Sequence, residues 1–262
     1  MKLPIYQVDA FTDTIFKGNP AAICPLEKCI PDGLMQKIAN ENNLAETAFF
    51  VKEGEQYHIR WFTPTVEVDL CGHATVATVH VLKHHLGIGG TEFKFKSKSG
   101  LLTVRIEEDL YILNFPADSL EKVKVPNEFV EGLGAIPSET YKGKTDYLLV
   151  FDSAEQIRQF NPDWSLIAQV KARGICVTAK GEDCDFVSRF FAPQSGINED
   201  PVTGSAHTTL VPYWSKKTGK TDFFARQISE RGGELYCRNL GDRIEIGGKA
   251  VSYLEGTIRV NS

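Results

Sequence analysis

Three residues of this chain have a type and a setting suited to proton chemistry: Glu46, His73 and Asp200. Glu46 lies in Asn42-Asn43-Leu44-Ala45-Glu46-Thr47-Ala48-Phe49-Phe50, a carboxyl among apolar neighbours. Desolvation moves a carboxyl toward the pH range useful for taking and returning protons. The structural alternative is a glutamate facing outward from a half-buried strand. Glu46 shares strand parity with Ala48 and Phe50, so alternation alone leaves its face undecided. Asp200, in Asn198-Glu199-Asp200-Pro201-Val202-Thr203-Gly204-Ser205, precedes a helix glycine. A loop or capping aspartate is its alternative role. His73 follows Gly72 at a predicted helix start, where the helix dipole disfavours imidazolium. The sequence therefore predicts a neutral His73 that donates a hydrogen bond or relays a proton.

Two of these residues belong to a motif written twice. Arg60-Trp61-Phe62-Thr63-Pro64 leads to Gly72-His73-Ala74-Thr75, and Arg189-Phe190-Phe191-Ala192-Pro193 leads to Gly204-Ser205-Ala206-His207. Each copy runs from a strand-like stretch through an acidic loop into a helix start made of small residues. The first turn of a helix offers unpaired N–H groups and partial positive charge, and Gly or Ser there admits an anion to the backbone. Close packing of helix on sheet explains one such motif equally well; the duplication favours a site between two similar halves that holds a small anionic substrate. His80, His84 and His85 have a spacing that resembles metal ligands. HExxH is absent, however, and histidine is already favoured near a helix C-terminus, so no metal site is assigned.

The elements that must position these residues follow from pattern. Strands are predicted over 5–11, 57–62, 93–96, 101–106 and 110–115, and helices over 32–39 and 72–86. The second helix has two uncharged turns, so it should be buried within a curved sheet. The same order returns later: strands over 147–151, 175–179, 186–191, 223–229, 234–237 and 243–246, a helical stretch over 154–160, and an uncharged helix over 204–214 that Pro212 should kink or shorten. Many short strands with one central helix per half is an α+β pattern. The expected organisation is two similar domains related by a pseudo-two-fold axis, 1–117 and 118–262, each a curved mixed sheet around a helix. Pro116 to Pro126 reads as the linker, and a last strand over 256–260 could join either half.

Composition limits the function classes. A formal charge of −5 with mixed signs gives no basic stripe for nucleic acid. No apolar run reaches the ~18 residues of a membrane span. The start lacks a charged head and apolar block, so a cytoplasmic location is expected. Six cysteines without a CxxC pair read as reduced thiols. The clusters Gly87-Ile88-Gly89-Gly90 and Gly247-Gly248 lack the setting of a nucleotide-binding loop.

The chain resembles the PhzF-like (phenazine biosynthesis-like) family, of the diaminopimelate epimerase fold, in motifs distributed nearly end to end. These are Val8-Asp9-Ala10-Phe11-Thr12, Gly18-Asn19-Pro20-Ala21-Ala22, Asn43-Leu44-Ala45-Glu46-Thr47-Ala48-Phe49, Cys71-Gly72-His73-Ala74-Thr75 and Glu199-Asp200-Pro201-Val202-Thr203-Gly204-Ser205-Ala206-His207. The resemblance implies two similar domains, a cofactor-free site, dimers, and an isomerase that moves a proton on a small carboxylic acid. It matches Glu46 to the family's general acid/base and His73, Asp200, Gly72, Gly204 and Ser205 to residues lining the site. Ala74, Thr203 and Asn19, in the same motifs, are assigned to substrate binding with them. Fold relatives that racemise amino acids oppose two cysteines, and Cys71 fits the first position. Thr203 occupies the matching place in the second copy, with no cysteine between Arg189 and Tyr236, which argues against a two-thiol racemase. A binding protein without turnover is a further alternative. A glycosidase is disfavoured because no aromatic cluster lies near either motif to stack a sugar.

Overall fold

Two units emerge in the computed structural model, which describes residues 1–260: Met1–Asn114 together with the chain from Gly247 onward, and Phe115–Ile246. The sequence reading placed the boundary at 117/118 and left the last strand, 256–260, open to either half. Both divisions fall instead within strands.

The first unit runs β1 (Lys2–Ala10), β2 (Asn19–Leu26), α1 (Asp32–Asn42), β3 (Glu46–Glu53), β4 (Gln56–Phe62), β5 (Glu67–Val68), α2 (Gly72–His84), β6 (Glu92–Ser97), β7 (Gly100–Glu107) and β8 (Leu110–Pro116). β2 and β3 are parallel, β3 and β4 antiparallel, β4 and β5 antiparallel, β4 and β6 parallel, and β6 and β7 antiparallel. The second unit runs β9 (Glu121–Lys122), α3 (Asn127–Leu133), β10 (Glu139–Lys142), β11 (Asp146–Val150), α4 (Ala154–Arg158), α5 (Trp164–Ile167), β12 (Gly174–Lys180), β13 (Phe186–Ala192), β14 (Ile197–Asp200), α6 (His207–Thr218), β15 (Asp222–Gln227), β16 (Gly233–Asn239) and β17 (Arg243–Gly248). Its β11 to β16 repeat the same five relations in the same order. The duplication seen in sequence is therefore a duplication of topology. β18 (Ala250–Arg259) then pairs antiparallel with β1 along its whole length, returning the chain to the first unit. The sequence reading began this strand only at Gly256; the glycine is accommodated inside it, since an added Cβ would meet nothing closer than 3.7 Å.

In the first unit α2 packs against β1, β2, β3, β7 and β18. Every residue from His73 to Leu82 is buried, as a helix apolar nearly all round requires. Each buried Val or Leu on it contributes about 1.5–3 kcal/mol. On the other side of β3, Phe49 packs with Met35, Ile38 and Ala39 of α1. In the second unit, Phe129, Leu133, Ile157, Ile167, Val177 and Phe191 form one core cluster. Pro212 does lie inside α6, yet the helix continues to Thr218. A proline leaves the carbonyl four residues earlier without its donor. Here the Thr208 carbonyl accepts instead from the Asp118 N–H at 3.0 Å. The helix start is accommodated by a 3-10 turn, Gly204–Ala206. None of the described helices is long and apolar enough to cross a membrane.

Candidate active site

α1 ends where Asn43 turns left-handed (φ 48°) and caps back to the Ala39 carbonyl. Three residues later Glu46 opens β3, opposite Ala21 of β2. Because Phe49 faces α1, the opposite parity of β3, to which Glu46 belongs, faces α2. That settles the face alternation left undecided. Glu46 Oε2 lies 3.1 Å from His73 Nε2, with the side chains only 13% and 7% exposed. The separation is that of an ion pair, but the oxygen lies off the ring N–H direction. It is buried and accepts no hydrogen bond among the described residues. Asn19 is fully buried two residues upstream of Ala21, opposite Ala10 of β1.

Cys71 is the extended residue before α2, and no side chain caps that helix start. The Ala74 N–H is directed at the Cys71 sulfur, and the N–H groups of Gly72 and His73 carry the positive end of the dipole beside it. Cys71 Sγ lies 3.6 Å from His73 Nδ1 and 3.9 Å from Nε2. Burial, with the Glu46 charge nearby, pushes the Cys71 thiol up to about 11. It is therefore a neutral thiol near pH 7. Burial alone would lower His73, but Cys71 and Glu46 outweigh it and hold the imidazole well above its ordinary value. The expected neutral imidazole is thus corrected. The helix dipole is worth ~0.3–1 kcal/mol, and a buried carboxylate in contact exceeds it.

In the second unit Asp200 ends β14, and its Oδ2 accepts from Thr203 Oγ1 at 2.6 Å. Gln227, at the end of β15 and 1% exposed, holds this turn: its Oε1 accepts from the Thr203 N–H at 2.8 Å, and its Nε2 donates to the Asp200 carbonyl at 2.7 Å. Gly204 and Ser205 follow, again at a start no side chain caps. Ser205 Oγ accepts from Arg173 at 2.8 Å, and Arg173 also forms a two-pronged pair with Asp146. Asp200 contributes to the charge field at Arg173. Sequence reasoning missed Arg173 and Gln227. A polar residue at the inward parity of β15, in line with Phe223 and Ala225, was the available sign for Gln227; no comparable sign marked Arg173.

The arginine that opens each copy has the same structural task. Arg60 makes a two-pronged pair with Glu67 at 2.8 and 2.8 Å and lies over Phe62. Arg189 does so with Glu199 at 2.7 and 2.8 Å, over Phe191. Each pair fixes the acidic segment leading to the helix start. The His80, His84 and His85 group lies elsewhere in the first unit. His80 contacts Tyr111 at 3.0 Å and Ser252 at 2.9 Å, His84 contacts Tyr111 at 3.1 Å, and His85 contacts Ser252 at 2.7 Å and Glu255 at 3.2 Å. These contacts tie α2 and the segment after it to β8 and β18. Burial and the neighbouring cations lower His80 to about 3, so it is neutral at physiological pH.

The arrangement in the first unit, a buried carboxylate with an open acceptor beside a histidine and an uncapped helix start, can exchange a proton with an acid whose anion rests on the helix. Comparison with known proteins establishes the family. The family model described as "Phenazine biosynthesis-like protein" matches residues 8–256. A Pseudomonas aeruginosa protein named as an uncharacterized isomerase is 48% identical over 260 residues, covering 99% of this chain and 100% of its own. A bovine phenazine biosynthesis-like domain-containing protein is 42% identical, covering 98% of this chain and 99% of its own. The crystal structure of a PhzF-family protein from Enterococcus faecalis superposes with a TM-score of 0.97 at 45% identity, over 99% of this chain and 100% of that one. With the motif residues, the topology and these full-length matches in agreement, the chain belongs to the phenazine biosynthesis-like, or PhzC-PhzF, family.

Proposed function

We propose that the protein is an isomerase that moves a proton on a small carboxylic acid, with Glu46 as general acid/base. The observation that carries this reading is the buried Glu46 Oε2, without a hydrogen bond and 3.1 Å from His73 Nε2. A buried acceptor left open costs free energy unless a ligand uses it. A substrate C–H or O–H proton is the partner that suits a carboxylate. Glu46 takes the proton from one carbon and returns it to another. His73 balances the charge of the carboxylate and steers its free oxygen. The N–H groups of Gly72 and His73, with Ala74 lining the same turn, hold the substrate carboxylate or the enolate that forms when the proton leaves. Asp200 and Ser205, held by Thr203, Gln227 and Arg173, orient the substrate, and Thr203, Gly204 and Asn19 contribute to its binding. The isomerase names carried by close relatives support the reaction class.

The test is deuterium exchange into a panel of small carboxylic acids by the wild type and by Glu46→Gln. The wild type incorporates deuterium from heavy water into at least one acid. The variant loses about 10²-fold or more of that rate, the share general acid–base catalysis commonly supplies. Full exchange by Glu46→Gln would remove Glu46 from the role. A racemase built on Cys71 is the weaker reading, because the thiol is neutral near pH 7 and Thr203 occupies the matching place in the second copy.

A further inference from the structure

We infer that Glu46, Cys71 and His73 form a binding site for a borderline-soft divalent cation, Zn²⁺ above all, and that its occupation stops the proton chemistry. The second part rests on the function proposed for Glu46; the first does not. One ligand atom from each of the three residues lies within 4.8 Å of the other two. For a tetrahedral zinc ion the usual bond lengths require roughly 3.4 Å between nitrogen and oxygen ligands and roughly 3.6 Å between nitrogen and sulfur. His73 Nε2 lies 3.1 Å from Glu46 Oε2 and 3.9 Å from Cys71 Sγ. Cys71 Sγ also lies 3.6 Å from Nδ1, so it stands beside the ring, and the imidazole has to turn before all three donors face one ion; a fourth position is then left for water or an anion.

The donor set itself selects the ion. A thiolate with an imidazole and one carboxylate suits zinc; magnesium and calcium prefer all-oxygen shells. Glu46 Oε2 is already buried without a hydrogen bond, so coordination answers an acceptor that is otherwise unmet. The positive end of α2 opposes a cation, but it amounts to about half an elementary charge. Against it stand the carboxylate and the thiolate that remains on coordination, when the Cys71 proton and the proton His73 holds on Nε2 both leave to solvent, so binding strengthens as pH rises. The ligands come from β3 and the start of α2, two elements fixed by the same core, so no loop has to close around the ion. An ion there would occupy the one oxygen through which Glu46 is proposed to accept a proton.

Cobalt(II) serves as the probe, because thiolate coordination produces an intense near-ultraviolet charge-transfer band. Titration of the full-length protein with Co²⁺ should give that band with tetrahedral visible absorption, and Zn²⁺ should bleach both. The band should disappear in Cys71→Ala and persist in Cys29→Ser, which removes the exposed thiol. Loss of a direct ligand should weaken binding beyond the roughly 10–100-fold typical of outer-shell changes. His73→Gln provides the same readout should Cys71→Ala not fold. Absence of the band at millimolar Co²⁺, or its retention in Cys71→Ala or in folded His73→Gln, overturns the site. Zn²⁺ should also abolish deuterium exchange by the wild type. Exchange that continues with the metal demonstrably bound through Cys71 would leave the metal site standing and defeat the role given to Glu46.

Discussion

The two helix starts share an ancestor in sequence and topology but present opposite electrostatics. At the first, His73 is held charged against a buried carboxylate, and nothing hydrogen-bonds Glu46 Oε2 among the described residues. At the second, His207 is fully buried, gives Nδ1 to the Thr203 carbonyl at 3.1 Å, and is lowered by burial to about 4, so it is neutral. Hydrogen bonds from Thr203 and Gln227 fix the turn that carries Asp200. Duplication copied a scaffold, and each copy keeps one buried acceptor open among the described residues: Glu46 Oε2 in the first, and Nε2 of the neutral His207 in the second. Proton transfer is proposed at the first copy, where a carboxylate oxygen meets a charged imidazole; holding of the ligand is proposed at the second, where hydrogen bonds fix Asp200.

The strongest way to break this comparison is to neutralise one carboxylate in each copy. Glu46→Gln should reduce deuterium exchange by about 10²-fold or more, and Asp200→Asn by about tenfold, with the larger part of the second loss in KM. Equal losses in kcat would mean that both copies do proton chemistry. The paired arginines come next. Arg189 binds Glu199 and also donates to the Ile157 and Phe160 carbonyls at 3.1 and 2.9 Å. Arg60 shares its charge between Glu67 and the exposed Asp32. Removing Arg189 leaves a half-buried carboxylate and two carbonyls without their donor, so Arg189→Ala should cost about 2 kcal/mol by urea unfolding. Arg60→Ala should cost about 1 kcal/mol, since water and Lys98 remain available to Glu67. A reversed order would show that the shared motif is stabilised differently from its contacts.

The histidines sharpen the contrast through pH. His73 is raised in the folded state, so its contribution to stability is fully present below about 6.5, its unfolded value, and is lost as pH rises through the folded value. His207 is lowered to about 4, so its contribution is present above about 6.5 and is lost as pH falls toward 4. Each slope is at most about 1.4 kcal/mol per pH unit. Urea unfolding of His73→Gln and His207→Gln should therefore show costs that change in opposite directions: the first greatest in mild acid, the second greatest at neutral and alkaline pH. Parallel profiles would mean that the two imidazoles share one charge state.

Much of this was legible in sequence because it is written in residue type and spacing. The repeat, the buried uncharged helix and the positions of Glu46, His73 and Asp200 all follow from local patterns. The charge of His73 did not, because the carboxylate that sets it arrives from β3, 27 positions earlier by residue number. The function of Arg60 and Arg189 was hidden although both open the motif, since their glutamate partners are defined only when β4 pairs with β5 and β13 with β14. Arg173 left no mark at all: it reaches Ser205 from the loop before β12. The return of β18 was left open because the partner of a last strand is not written in its own residues; it is defined only when β18 pairs with β1.

The smallest effect tests whether the second copy is a holder rather than a reactor. Thr203 donates its hydroxyl to Asp200 at 2.6 Å and accepts from Gln227 Nε2 at 3.2 Å. Thr203→Val keeps the shape and removes both bonds, while the Thr203 N–H still reaches Gln227 Oε1. The expected loss of stability is about 1 kcal/mol, typical of one hydrogen bond when part of the network survives. Asp200 should then sample more orientations, so KM for the exchanging acid should rise severalfold with kcat nearly unchanged. A fall in kcat at constant KM would place Asp200 among the groups that move the proton, and the two helix starts would have to be read as partners in one transfer.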